Sequence, residues 1–413
     1  MKPIHLLLLT MLATAAFAQT DPGPRPSPPP IPIPLRGLSP AESALFFQSV
    51  ATFNEHETVA AGLGPRFNLD SCAGCHAQPA AGGSSPAQNP QVAVPHNTIP
   101  SFLQSNGPVR VVRFLRQPSG QPDGGVHDLF VITGRDDAPS ACKIQQPDFS
   151  QTNNMTFRIP TPLFGLGLME AISDATLQQS FAATALQRQS LGIAGHFNTS
   201  GNDGTITRFG WKAQNKSMLM FAGEAYNVEM GVTNELFPQE RETDPGCATN
   251  ATPEDHTNVA TGAPSDLQLF TAFMRYLAPP PPPRPGPDPG AAVFGSLGCN
   301  LCHTPTFQTS PSTTAALSNQ RVFLFSDLAL HRMGQALADG VQQGNARGDE
   351  FRTAPLWGLA DRLFFLHDGR SRDLLETIQL HDSPGSEAHQ VIQNFNALPP
   401  QSKQDLLNYL RTI

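Results

Sequence analysis

Residues 72–76 read Cys-Ala-Gly-Cys-His and residues 299–303 read Cys-Asn-Leu-Cys-His. One C-x-x-C-H pattern is thus written twice in a chain of 413 residues that holds only six cysteines. Two thiols at this spacing can each form a thioether to one vinyl group of a haem. The histidine beside the second thiol then lies under the iron as fifth ligand. Cys72, Cys75 and His76 are therefore expected to hold one c-type haem, and Cys299, Cys302 and His303 a second. A thioredoxin-like pair needs a βαβ pattern and a zinc site needs a second close Cys/His pair; neither is visible in the sequence.

Outward from these stretches, the amino end carries a leader pattern: Lys2, an apolar run Leu6 to Leu12, and the small-x-small triplet Ala16-Phe17-Ala18. A signal peptide over 1–18 and a periplasmic mature protein are expected, in accord with haem attachment outside the cytoplasm. No later stretch reaches the ~20 continuous apolar residues of a membrane helix. A net charge of −8 with only 15% charged residues argues against nucleic acid as a partner, since phosphate binding wants a basic surface. The 34 glycines and 41 prolines predict long loops.

A proline-rich spacer without a fold of its own is expected over 19–37, and a helix over 40–54. Val109 to Leu115 and Val126 to Ile132 look like strands of one hairpin around SGQPDGG, and a second hairpin is expected around SGNDG (200–204). Ser265 is placed to cap a helix running to Leu277. The proline-rich linker 279–290 then separates a first domain, 38–278, from a second, 291–413, which closes with a helix from about Ser402. RIPTPLFGLG (158–167) echoes FRTAPLWGLA (351–360). The chain reads as a mainly α protein of two cytochrome c-like domains, with long loops and small β-hairpin insertions in the first.

GLGPRFNLDSCAGCHAQPAAGG, RFGWKAQNKSM, NVEMG, FSDLALHRMG, FRTAPLWGL and FLHDGR together resemble the bacterial di-haem oxidoreductases of peroxidase type, relatives of the di-haem cytochrome c peroxidases. The resemblance implies a periplasmic enzyme in which a carboxy-terminal electron-transfer haem feeds an amino-terminal catalytic haem. It also implies a small redox protein or quinol-linked donor or acceptor as partner, with peroxide or dioxygen as substrate. An oxygenase or protein-modifying enzyme on the same scaffold, or a pure electron-transfer cytochrome, are the alternatives. In the run HDGRSRDLLETIQLH, His381 stands where the peroxidases have a methionine ligand, so His303 and His381 would share the second iron. Met333, His331 and His367 compete for that place, His367 being better suited to a haem propionate or backbone.

For the first haem, Glu229 in NVEMG matches a distal glutamate suited to general acid–base work. Glu170 is a second candidate, whose apolar neighbours would raise its pKa if it is buried. The peroxidases also carry a distal glutamine about ten residues before the glutamate; near that place this chain has Phe221, so an apolar distal pocket is expected, which favours the oxygenase alternative. His96, a loop histidine twenty residues after His76, is a candidate to close the sixth position in a resting state, and a solvent-exposed role after a proline suits it at least as well. Trp211 matches an inter-haem tryptophan, while packing suits Trp357. Cys142 and Cys247 are expected to pair in an oxidising compartment, a reactive thiol pair being the alternative. A bridging calcium occurs in relatives, but no carboxylate cluster here supports one.

Overall fold

The structure is a computed structural model that describes residues 19–25, 32–94, 99–116, 120, 130–150, 152–242, 244–283 and 285–413. The leader expected over 1–18 and His96 lie outside the described residues. Helix outweighs strand. The helices are α1 (Pro40–Phe53), α2 (Cys72–Cys75), α3 (Leu166–Glu170), α4 (Asp174–Ala183), α5 (Ala185–Ser190), α6 (Met218–Met230), α7 (Asp266–Tyr276), α8 (Pro289–Leu297), α9 (Leu374–Gln379), α10 (His389–Asn396) and α11 (Pro400–Leu410). The strands are β1 (Arg66–Phe67), β2 (Val111–Phe114), β3 (Phe130–Val131), β4 (Met155–Arg158), β5 (Phe307–Gln308), β6 (Arg321–Val322), β7 (Leu330–Arg332) and β8 (Glu350–Arg352). They form two-stranded antiparallel pairs only: β1 with β3, β2 with β4, β5 with β6, and β7 with β8.

Local chemistry accounts for the helix starts. Ser39 and Glu42 make a reciprocal capping box at α1 with Pro40 in the first turn. Ser265 accepts from Gln268 N to open α7. Each half then packs the helix before its C-x-x-C-H motif against its closing helix. In the first, Phe273 of α7 stacks on Phe53 of α1 at 4.1 Å and on Phe46 at 6.0 Å. In the second, Gly290 of α8 lies so close to α11 that a Cβ there would come within 2.1 Å of the Asp405 carbonyl oxygen. Leu406, Leu407, Leu410 and Ile413 are buried as their spacing implies.

The echoed segments occupy equivalent places. Arg158 ends β4 and Arg352 ends β8. Gly165 (φ 68°) and Gly358 (φ 75°) both adopt the left-handed conformation that opens the following helical turn. The halves are not insulated from each other. Phe307, Leu317, Val322, Leu328 and Trp357 join the large apolar cluster built mainly from the first half, while Ile193 joins the cluster of the second.

Two expectations need correction. β2 does not pair with the strand at 130; it pairs with β4, in the register Val112 opposite Phe157, while β3 pairs with β1. Side-chain packing across the sheet decides this. Phe149 stacks on Phe114 at 6.0 Å and Phe157 meets Phe102 at 5.0 Å, so a non-local aromatic cluster outweighs a local turn signal. The turn run itself falls largely outside the described residues. The bridge Thr199–Ile206, with Thr207 N donating to Asn198 O, does make the second hairpin. The amino-terminal segment is also anchored rather than a free spacer. Asp21 pairs through both carboxylate oxygens with Arg411 at 2.7 Å, and Arg25 donates to both oxygens of Asp361. Leu35 N donates to Tyr276 O. Among the described residues no helix is long and apolar enough to cross a membrane.

Candidate functional site

Two apolar cavities of about 220 Å³ each open beside the two C-x-x-C-H motifs. The first motif forms the single turn α2, closed by His76 N donating to Cys72 O at 3.0 Å. This brings Cys72, Cys75 and His76 to the wall of the first cavity. The His76 ring is held through Nδ1 by the Gly83 carbonyl at 3.1 Å. Only glycine fits there, since a Cβ on Gly83 would come within 1.9 Å of the Gln78 carbonyl oxygen. The second motif forms a 3-10 turn after α8, closed by His303 N to Cys299 O at 2.9 Å. Nδ1 of His303 bonds the Phe325 carbonyl at 3.1 Å. Phe325 adopts φ 52°, a costly conformation for a non-glycine residue; it turns that carbonyl onto the ring.

His381 follows α9 and reaches the same cavity as His303. Its Nδ1 bonds the Thr377 carbonyl at 2.8 Å. All three rings thus share one device. A carbonyl cannot donate, so Nδ1 carries the proton and Nε2 keeps its lone pair, the state a metal-ligating imidazole needs. Burial pushes His76 and His303 down to about 4 and lowers His381 as well, with His381 adding to the depression of His303. All three are neutral near pH 7. Burial also raises the thiols of Cys72 and Cys299 to about 12 and that of Cys75 well above its usual value, which leaves these three protonated and unlike reactive thiolates.

Of the competitors for the second cavity, His331 is bonded on both sides. Its Nε2 lies 3.0 Å from Asp327 and its Nδ1 2.8 Å from Glu387. Although burial opposes its charge, the carboxylates of Asp327 and Glu387 on its two ring nitrogens favour the protonated form, and its pKa is raised well above the usual value, so it has no lone pair to offer. Met333 lines the cavity. His367 lines it too, stacked on Phe351 at 4.4 Å.

Trp211 lines both cavities and is a wall they share. Its indole N–H donates to Ile159 O at 3.0 Å, and its carbonyl accepts from Arg352 N at 2.9 Å. Trp357 is buried against Gly165, where a Cβ would come within 2.7 Å of the indole.

On the side walls of the first cavity, Glu229 accepts from Asn68 Nδ2 at 2.7 Å, and Phe221 lines the space, stacked on Phe209. Glu170 is not among the lining residues. It accepts from Met218 N at 2.9 Å, at the start of α6, and pairs with Arg275 at 3.3 Å; its role as a second proton carrier is corrected to helix capping. The first cavity is mainly apolar, yet polar and charged side chains enter its wall. Gln214, Glu224, Arg113 and Arg158 line it. Gln214 Oε1 is buried with no hydrogen-bond partner among the described residues, and Gly210 leaves it room, since a Cβ there would meet that oxygen at 2.1 Å. Glu224 accepts from Asn215 Nδ2. The signal was present: the interval of about ten residues sought before Glu229 separates Gln214 from Glu224.

Cys142 and Cys247 are joined in a disulfide, with Cα atoms 4.4 Å apart. Among the described residues no group of three or more His, Cys, Asp or Glu is set to hold a metal ion. The donor sets fit haem instead. Each cavity is mainly apolar and carries two cysteines with a neutral imidazole, and the second adds the imidazole of His381.

A family model described as "Di-haem oxidoreductase, putative peroxidase" matches residues 115–264 and 286–413. The matched residues include the second C-x-x-C-H motif and not the first. No curated protein and no solved structure matches.

Proposed function

The chain belongs to the di-haem oxidoreductase family, and from that premise we propose that it is an exported, periplasmic enzyme that reduces hydrogen peroxide with electrons from a small redox protein. In this reading the chain is two cytochrome c-like units, 38–278 and 291–413. Cys72 and Cys75 attach one haem over His76, and Cys299 and Cys302 attach the other between His303 and His381. Bound haem would supply redox-active iron to both cavities.

The observation that carries this reading is the asymmetry between the cavities. In the second, His303 is accompanied by another neutral imidazole, His381. In the first, His76 is accompanied by Glu224, Glu229, Gln214 and Phe221. Reduction of hydrogen peroxide to two waters takes two electrons and two protons. Glu224 and Glu229 are suited to hold a proton and return it to the leaving oxygen. Gln214, whose amide oxygen has no partner among the described residues, is suited to accept from the peroxide O–H and orient it. Phe221 excludes water. Trp211, on both walls, shortens the gap the electrons cross. Glu224, Glu229 and Gln214 in this otherwise apolar wall favour peroxide over the oxygenase alternative.

The test is an electronic and EPR spectrum of the as-isolated protein, then titration with hydrogen peroxide. One low-spin bis-histidine signal, one high-spin signal and stoichiometric peroxide consumption are expected. Two low-spin signals and no reaction would make the protein an electron-transfer cytochrome.

A further inference from the structure

Arg352 and Arg362 line the second cavity together, and both also line a void of about 20 Å³ beside Trp211, Phe221 and Trp357. Their bonding is thin for buried cations. Arg352 donates from Nε to Gly210 O at 3.0 Å and from Nη1 to Thr353 O at 3.3 Å. Arg362 donates once, from Nη2 to Pro355 O at 3.5 Å. Each guanidinium has five N–H donors, and neither meets an Asp or Glu among the described residues. The nearby Arg411 is already neutralised by Asp21. Burial depresses both arginines to about 10; Arg362 adds to the depression of Arg352, so the two cations repel each other. Two adjacent buried cations without counter-charge are strongly destabilising unless an anion joins them.

The repeat shows that this is particular to the second half. Arg158, the counterpart of Arg352, bonds Asp339 at 2.9 Å and Gln343 at 2.8 Å. We propose that Arg352 and Arg362 form a carboxylate clamp for the two propionate groups of the haem in the second cavity, at the wall shared with Trp211. Two guanidinium charges match two carboxylates, and both line the cavity that Cys299, Cys302 and His303 also line. The neighbouring void is small enough to admit only a monatomic anion such as chloride, the other source of negative charge. Arg352 is tied through its backbone to Trp211 and through Nε to Gly210, so the clamp would be anchored to the wall shared with the first cavity.

This rests on the second cavity holding a haem, which is checked separately: pyridine haemochrome should count two haems per chain, and a count of one would sink that reading rather than the clamp. The clamp itself is tested on the holoprotein by resonance Raman of the propionate bending band and by the midpoint potential of the low-spin haem. Arg362→Leu should move the band and lower the potential, since a cation beside the ferric centre is lost. Arg362→Lys should move the band while holding the potential, and chloride titration of the wild type should change neither. If Arg362→Leu does not load its second haem, Arg362→Lys and the chloride titration decide. A chloride-dependent shift in the wild type, or an unmoved band in Arg362→Lys, overturns the proposal.

Discussion

His76, His303 and His381 each spend Nδ1 on a backbone carbonyl. That one bond sets the tautomer and the ring orientation. Changing His381 to Ala should therefore leave the second haem with an open position. EPR should show its low-spin signal replaced by a high-spin one, with cyanide binding at the first haem unchanged and peroxide turnover slowed. In the first cavity, Glu224→Gln or Gln214→Ala should lower kcat/KM for peroxide, by about 10²–10⁴-fold for the residue that carries the proton. Glu170→Gln, outside the cavity, should stay near wild type. A further buried acid sits nearby: Glu57 accepts from the Tyr226 hydroxyl at 2.8 Å. Burial pushes its pKa up from 4.5 to about 7, with Asp266, Glu55 and Asp255 adding repulsion. The folded state therefore holds a proton that the unfolded chain releases at a lower pH. Stability from this residue is full below about 4.5 and is lost as pH rises through about 7, by at most about 3 kcal/mol. Thermal unfolding across that window should show the slope in wild type and its loss in Glu57→Gln.

At the scale of elements, the two helix crossings differ in what holds them. α1 and α7 meet through stacked phenylalanines, Phe46, Phe53 and Phe273. α8 and α11 meet through the missing side chain of Gly290. The second contact has no slack, because the obstructing atom is a backbone oxygen. Gly290→Val should force the helices apart at a cost of about 1–3 kcal/mol or more, read as a lower midpoint of thermal unfolding and reduced loading of the second haem. Leu406 and the other apolar positions of α11 were legible from their helical spacing. Gly290 was not, because a glycine in a sequence does not announce which backbone approaches it. The pairing of β2 with β4 was hidden for a related reason: strands of two to four residues take their partners from the aromatic side chains packed around them, here Phe102, Phe114, Phe149 and Phe157.

At the scale of the whole molecule, the segment 19–25 ties the amino end to the carboxy-terminal half. The Asp21–Arg411 pair is almost fully buried, with side chains 6% and 5% exposed, and Asp21 also accepts from Leu374 N at the start of α9. Because α9 carries Thr377, whose carbonyl holds His381, the strap bears on the geometry of the second cavity. Removing one partner strands a buried charge, so Arg411→Leu should cost about 3–5 kcal/mol, and the double change Asp21→Leu with Arg411→Leu should cost less than that single one. Chemical denaturation of the three proteins checks the order; a double variant less stable than Arg411→Leu would show the strap acting by packing alone.

By itself the sequence determined the two C-x-x-C-H stretches, the family, the helix starts at Ser39 and Ser265, the closing helix, and the cysteine pair. These signals are local: a spacing, a cap or a periodic face is complete within a few residues. Tertiary structure alone decided that Gln214 and Glu224 share the first cavity with Glu229, that Glu170 bonds the start of α6 outside that cavity, that Trp211 stands in both walls, and that Arg352 and Arg362 meet no carboxylate among the described residues. Each of these depends on where segments distant in the chain pack, and burial, which sets the charge and partners of a side chain, is a property of that packing.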